Sequence, residues 1–204
     1  MRHGLGLGLS LLLLAAAGGA LQAQEPRPAA GGRYVEALGG NSVVQLRYLA
    51  PSPWRVTGGA RSDLDYGFLL SENRDIILST ALMFHTELNV VPGLTIDIGP
   101  QGYLALLSAL RKTDVFAVAF GADARYLVLP RWGIAAFGSA FYSPGVLTFG
   151  SAHNLYDLTA GAQIQFTPRL TGLAGYRWLK FTTVGEPDVR VQNEVFAGLR
   201  WRLE

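Results

Sequence analysis

Three groups of residues in this sequence have types and spacings that suit chemistry. Ser151 and His153 stand two apart in a stretch that reads as a loop before Asn154. A hydroxyl beside an imidazole is the beginning of a nucleophile and its base, but a working pair needs mutual geometry that spacing does not supply. Sequence places no acid beside them, so a solvated loop is the stronger reading. His85 and Glu87 share a strand face and offer two metal ligands, whereas zinc-type sites take three or four. A histidine at the rim of the fold accounts for them better. The third group is the largest: Arg47, Asp63, Asp65, Asp97, Asp123, Arg125, Asp157, Arg177, Glu194 and Arg200, joined by Gln163 and Gln165. Gathered carboxylates can act as general acids and bases. They can equally fill a narrow interior by pairing, Asp123 with Arg125 and Asp157 with Arg177, and this reading is favoured. Pairing offsets the desolvation of buried charge without adding much net stability.

These residues must be positioned by strands, because they alternate with apolar ones. In the hairpin at 155–178 the even positions read Tyr156, Leu158, Ala160, Ala162, Ile164 and Phe166, and the odd ones Asp157, Thr159, Gly161, Gln163 and Gln165. After Thr167, Pro168 and Arg169 the period of two resumes, with Leu170, Ala174, Tyr176 and Trp178 opposed to Thr171, Gly175 and Arg177. Side chains on a strand point alternately to opposite faces, so one face is apolar and the other polar. The same alternation predicts strands at 42–50, 62–70, 76–86, 94–107, 114–129, 132–142 and 191–203. The phase is lost near 100–102, where a bulge is expected around Pro100. Phe137 and Phe141 blur the polar face of 132–142. Residues 104–111 are the one segment that reads as either helix or strand, and their neighbours argue strand.

Composition agrees with an all-β chain. Half of the 204 residues are hydrophobic, 25 are glycine and only 16% are charged. Beyond the N-terminus no apolar run approaches the ~18 residues of a membrane helix. There is no cysteine, hence no disulfide framework and no thiolate metal site. A net charge of +2 without a clustered basic run gives nucleic-acid binding no support. Arg2 and His3 before an apolar segment around Leu11, followed by Gly18, Gly19, Ala20 and Ala23, read as a secretory signal peptide over 1–23. Residues 24–32, rich in Pro, Ala and Gly, read as a flexible lead-in, and 33–204 as a single barrel domain.

Two barrels fit this alternation: a soluble, lipocalin-like one with its apolar face inside, and a membrane one with that face outside. Strands with Trp, Tyr or Phe near their ends match a tilted membrane span of ~9–11 residues and its aromatic belts. Trp54, Phe84, Trp132, Phe166 and Trp201 fall near one set of ends, Tyr142 and Tyr156 near the other. Pro-containing links at 51–54, 91–93, 129–131 and 167–169 alternate with more polar ones, which assigns them to the periplasmic side, where turns are short. Nine strands would leave the two chain ends on opposite sides. A short strand at 34–38 restores parity. The expected fold is therefore a small antiparallel transmembrane β-barrel of eight to ten strands, ten by parity, the rival being eight with the first hairpin outside the wall. Inward Ala117, Gly121, Gly161 and Gly175 leave room for a thin water path.

The segments AFYSPGVLTFG at 140–150, LYDLTAGAQIQFTPRLTGLAGYRWLKF at 155–181 and the final VFAGLRWRLE resemble the YfaZ family of outer-membrane proteins. The resemblance implies a small barrel exported to the bacterial outer membrane, in contact with its lipids and with the barrel assembly machinery. It implies no established activity and no cofactor. The chain departs from the usual terminal aromatic of such strands, ending Trp201, Arg202, Leu203, Glu204. The expected role is structural or that of a narrow channel with a charge-paired lumen, not an enzyme. The alternatives are a lipid-modifying outer-membrane hydrolase and a soluble periplasmic binding barrel.

Overall fold

The computed structural model describes residues 32–53, 61–86, 91–108, 114–185 and 187–203. The leader, most of the lead-in, Trp54 and Glu87 lie outside them. Strand-forming alternation is realised throughout as β1 (Arg33–Gly40), β2 (Val43–Pro51), β3 (Ser62–Ser71), β4 (Ile76–Thr86), β5 (Leu94–Leu106), β6 (Asp114–Leu129), β7 (Ile134–Ser143), β8 (Thr148–Gly150), β9 (Ala152–Gln165), β10 (Leu170–Thr183) and β11 (Val189–Leu203). Every long strand pairs antiparallel with its neighbour, β7 with β9, and β1 with β11, so ten strands close into a barrel. The tenth is β1, a little longer than the sequence suggests, and the first hairpin is part of the wall. β8 is a short flap on the start of β6, where Val115 faces Gly150. Closure leaves no unpaired edge, which is what hydrocarbon demands of a backbone. Among the described residues no helix is long and apolar enough to cross a membrane.

The four Pro-containing links lie at the end of the barrel where β1 begins and β11 ends, here the terminal end. Their lengths do not alternate as expected. At the far end 41–42 and 72–75 are tight turns, while 52–61 at the terminal end is long. Side-chain caps explain the tight turns. Glu194 accepts from the Asn41 backbone N–H at 3.1 Å, and from the Ser42 N–H and hydroxyl at 3.0 and 2.9 Å. Buried Asp75 accepts from the Ser71 hydroxyl at 2.8 Å and from the Ser108 N–H at 2.8 Å, tying the β3–β4 turn to the end of β5. In the β10–β11 link the Lys180 ammonium sits 2.6 Å from Asp188 and holds that carboxyl below its usual range.

The expected bulge at Pro100 is absent. The ladder from β5 to β6 runs unbroken from Leu94 opposite Tyr126 to Leu106 opposite Asp114. Toward β4 it lacks only the pairs beside Gly99 and Pro100, consistent with a residue that has no N–H to donate. Alternation is also kept: Gly102 and Leu104 lie outside, Tyr103 and Ala105 are buried inside. The phase was obscured because the inner face itself becomes apolar there. Register shifts occur instead between Leu127 and Leu129, Leu179 and Lys180, and Thr182 and Thr183. Ahead of β7 the chain makes a 3-10 turn, Pro130–Trp132, closed by Gly133 at φ 63°.

The barrel wall sorts side chains as a membrane requires. Val195, Leu199 and Phe120 on the outside are 64%, 51% and 58% exposed, whereas Leu155, Leu179 and Phe181 on the inside are fully buried. Tyr142, Tyr156 and Trp178 form a row of mutually tilted rings on the outer wall toward the far end, with ring centroids 5.0 and 5.9 Å apart. Exposed Trp132, Phe166 and Trp201 ring the terminal end. These are the two aromatic belts.

Candidate functional site

The interior has two unlike halves. Toward the far end, inward Val43, Leu69, Ile77, Leu107, Leu155 and Phe181 belong to one buried apolar cluster that also takes in Tyr103, Val115, Phe141 and Leu179. All are at most 5% exposed, so no water column reaches through this half among the described residues. Toward the terminal end the inner wall turns polar, in keeping with the sequence alternation, and encloses a cavity of about 670 Å³. Val91, Pro92 and Gly93 of the β4–β5 link line its mouth, while Asp157 and Arg177 lie at its floor against the apolar half.

Glycine and phenylalanine complement each other along this wall. Gly161 on β9 and Gly175 on β10 face each other in register. A Cβ at Gly161 would lie 2.6 Å from Phe137 Cζ, and one at Gly175 2.9 Å from Phe196 Cζ. The two rings, 6.5 Å apart, cover the space that the glycines leave. Phe141 covers Gly121 in the same way. Phe137 and Phe141, ambiguous in sequence, are therefore lumen residues, and the small inward positions hold rings instead of a water path. Aromatic cover of glycine is a known device for bending a sheet tightly.

The charged residues form a chain of pairs around the cavity. Arg177 donates Nε to Asp157 Oδ1 at 2.9 Å and Nη2 to Oδ2 at 2.6 Å, and its Nη1 reaches Gln45 at 2.6 Å. Tyr103 donates to the same Asp157 carboxylate at 2.8 Å. Glu36, 1% exposed, accepts from Arg200 Nε at 2.8 Å and from Arg47 at 3.4 Å. Arg47 also hydrogen-bonds Asp65. Such closely paired charges cost far less to bury than isolated ones. His85 bridges two strands: Nδ1 is 2.6 Å from Asp97 and Nε2 is 2.9 Å from Asp63. Both neighbours are carboxylate oxygens, so both contacts are hydrogen bonds only when each ring nitrogen carries a proton. With its amide oxygen turned to Arg125, Gln163 accepts from Nε at 3.1 Å and Nη2 at 2.5 Å.

Most of the residues singled out from sequence thus meet inside the barrel, with three corrections. Asp157 pairs with Arg177 as expected, but Asp123 does not pair with Arg125, whose guanidinium turns past β7 to Gln163 on β9. Residues two apart on a strand point the same way and lie too far along it for a close pair. Asp123 has no hydrogen bond among the described residues and lies directly opposite Asp97 in the β5–β6 register. Glu194 leaves the network to cap the β1–β2 turn. Gln165 stands at the last position of β9, outside the cavity lining. His85 belongs to the network, although sequence placed it merely at a rim. Glu36, Gln45 and Tyr103 were missed. Glu36 and Gln45 alternate with apolar neighbours and were open to the same reading, whereas Tyr103 sat on a stretch whose phase was misjudged. Among the described residues no His, Cys, Asp and Glu cluster could hold a metal ion. His153 packs its ring over Gly145 in the far-end loop, with no carboxylate contact among the described residues.

A closed ten-strand antiparallel wall, apolar and aromatic-belted outside and charge-paired within, defines a small outer-membrane β-barrel protein. The family model described as YfaZ precursor matches residues 66–203. The chain belongs to the YfaZ family, and the description of a precursor agrees with export by a cleaved leader. A comparison with curated proteins found no match. Among solved structures, the chain is similar to a bacterial polysaccharide outer membrane secretin, with TM-score 0.48 and 15% identity over 85% of this chain, which spans 66% of that one. It is also similar to a KdgM porin in complex with disordered oligogalacturonate, with TM-score 0.43 and 12% identity over 85% of this chain and 99% of that one. A de novo designed transmembrane β-barrel gives TM-score 0.38 and 14% identity over 88% of this chain and 100% of that one.

Proposed function

We propose that this protein is a structural, non-enzymatic barrel of the outer membrane whose lumen is a cup open at one end. The observation that carries this is the dry apolar half of the lumen, where Tyr103, Leu107, Leu155, Leu179 and Phe181 are at most 1% exposed. A conducting pore needs a wetted wall along its whole length, and here the polar wall ends at Asp157. Between the structural and narrow-channel roles, the packing favours the structural one. The terminal end then faces the periplasm, the outer wall meets outer-membrane lipid, and insertion depends on the barrel assembly machinery. Planar-bilayer recording tests the cup: folded protein should give no unitary current steps, and stable steps would overturn it. The non-enzymatic reading rests on Ser151 and His153 at the start of β9, where the imidazole packs on Gly145 with no carboxylate among the described residues to orient it. Any lipid hydrolysis by the purified protein that is abolished in S151A or H153A would overturn that part.

A further inference from the structure

The cavity is the place in the molecule where polar groups converge around open space. At about 670 Å³ it falls within the size range of small-molecule sites. Most of the carboxylates that line it are committed to cations: Glu36 to Arg47 and Arg200, Asp157 to Arg177, and Asp63 and Asp97 to His85. Among these carboxylates Asp123 is the exception. It lines the cavity, is half-buried, and makes no hydrogen bond among the described residues. Its cross-strand neighbours are Asp97 on one side and Ser139 on the other. A like charge directly opposite disfavours a second carboxylate unless a cation intervenes. Two residues away along the same inner face, Phe141 covers Gly121, and Phe137 lies opposite Arg125, so apolar rings flank the carboxylate within the cavity wall.

We propose that the cup binds a small organic cation, an ammonium group on a short apolar stem, with Asp123 as its anchor. The ammonium supplies the hydrogen-bond donors that Asp123 lacks. The stem lies against Phe137 and Phe141, whose faces attract a cation at close range. The ligand enters and leaves by the terminal end, since the apolar half closes the other. The proposal rests on the reading of the lumen as a one-ended cup.

The test uses the full-length mature barrel folded in detergent and saturation-transfer NMR with butylammonium, butyrate and butanol as probes of nearly equal size. Butylammonium should bind and the other two should not. D123N, which keeps the side-chain shape, should weaken butylammonium binding by roughly tenfold or more, a difference of about 1.4 kcal/mol. S139F fills the cavity beside Asp123 without touching its charge and should abolish binding as well. Heat-modifiable gel migration confirms that both variants are folded. Equal binding of butyrate, undiminished binding by D123N, or no binding by the folded wild type would overturn the proposal. Silent bilayers without amine binding would sink this inference alone, whereas unitary current steps would sink the cup itself.

Discussion

Arg177 clamps Asp157 with two parallel hydrogen bonds, at 2.9 and 2.6 Å, across the β9–β10 pair where the cavity meets the apolar half of the lumen. Tyr103, from β5 on the other side of the barrel, closes on the same carboxylate at 2.8 Å. Three strands are thereby joined through one buried anion.

Removing one member of this cluster strands the other. R177M should lower stability by about 3–5 kcal/mol, because it leaves Asp157 buried without its cation. The double variant D157L/R177M should recover most of that loss. Urea unfolding of vesicle-inserted protein, followed by tryptophan fluorescence, gives the comparison.

The apolar half should be what keeps the barrel electrically silent. Replacing fully buried Leu155 and Leu179 by serine places hydroxyls in the dry stretch of the wall. L155S/L179S should therefore show unitary steps in a planar bilayer where the wild type shows none. The same variant should be less stable, by about 2–5 kcal/mol for each lost leucine.

His85 should matter as a bridge between strands. H85Q retains polarity but cannot donate to Asp63 and Asp97 in the same geometry, and should destabilise the barrel by about 1–3 kcal/mol. Adding D97N removes one orphaned carboxylate and should restore part of the loss. Denaturant midpoints for the three variants decide it.

The two faces of the barrel wall, sampled on β11 and β7, should respond oppositely to charge. L199R places a cation on the lipid face and should cost about 2–4 kcal/mol if that position lies near the bilayer midplane. S139R places one in the polar cavity beside Asp123 and should cost much less. Yields of heat-modifiable protein refolded into lipid vesicles should rank them accordingly.

Much of the barrel was legible because a period of two is a local signal. β4 and β6 begin and end where the alternation does, and the odd face of β9 carries Asp157 and Gln163 inward as the sequence implies. Parity alone demanded β1. Reading failed where the rule that polar residues face inward failed. Tyr103, Ala105 and Leu107 are inward and apolar, which made a regular strand look broken at Pro100. For the same reason the dry half of the lumen was invisible: its members come from nine strands and the segments beside them, and only closure brings them together. The site was half legible. Asp157 and Arg177 are cross-strand diagonal neighbours within one hairpin, so their pairing is local. Asp123 with Arg125 looked equally local, but the partner of a side chain on one strand is set by the strands beside it, and β9, two strands along, supplied Gln163.

Glu36 and Arg200 stand directly opposite each other where β1 meets β11, and this is the junction that closes the ring. Because consecutive residues face opposite sides, a slip of one position at that junction would turn Glu36 from Arg200 toward hydrocarbon. A carboxylate there would be expensive and unmatched. The pair therefore proofreads the joining of the first strand to the last, accepting the one register in which opposite charges meet and rejecting its nearest neighbours.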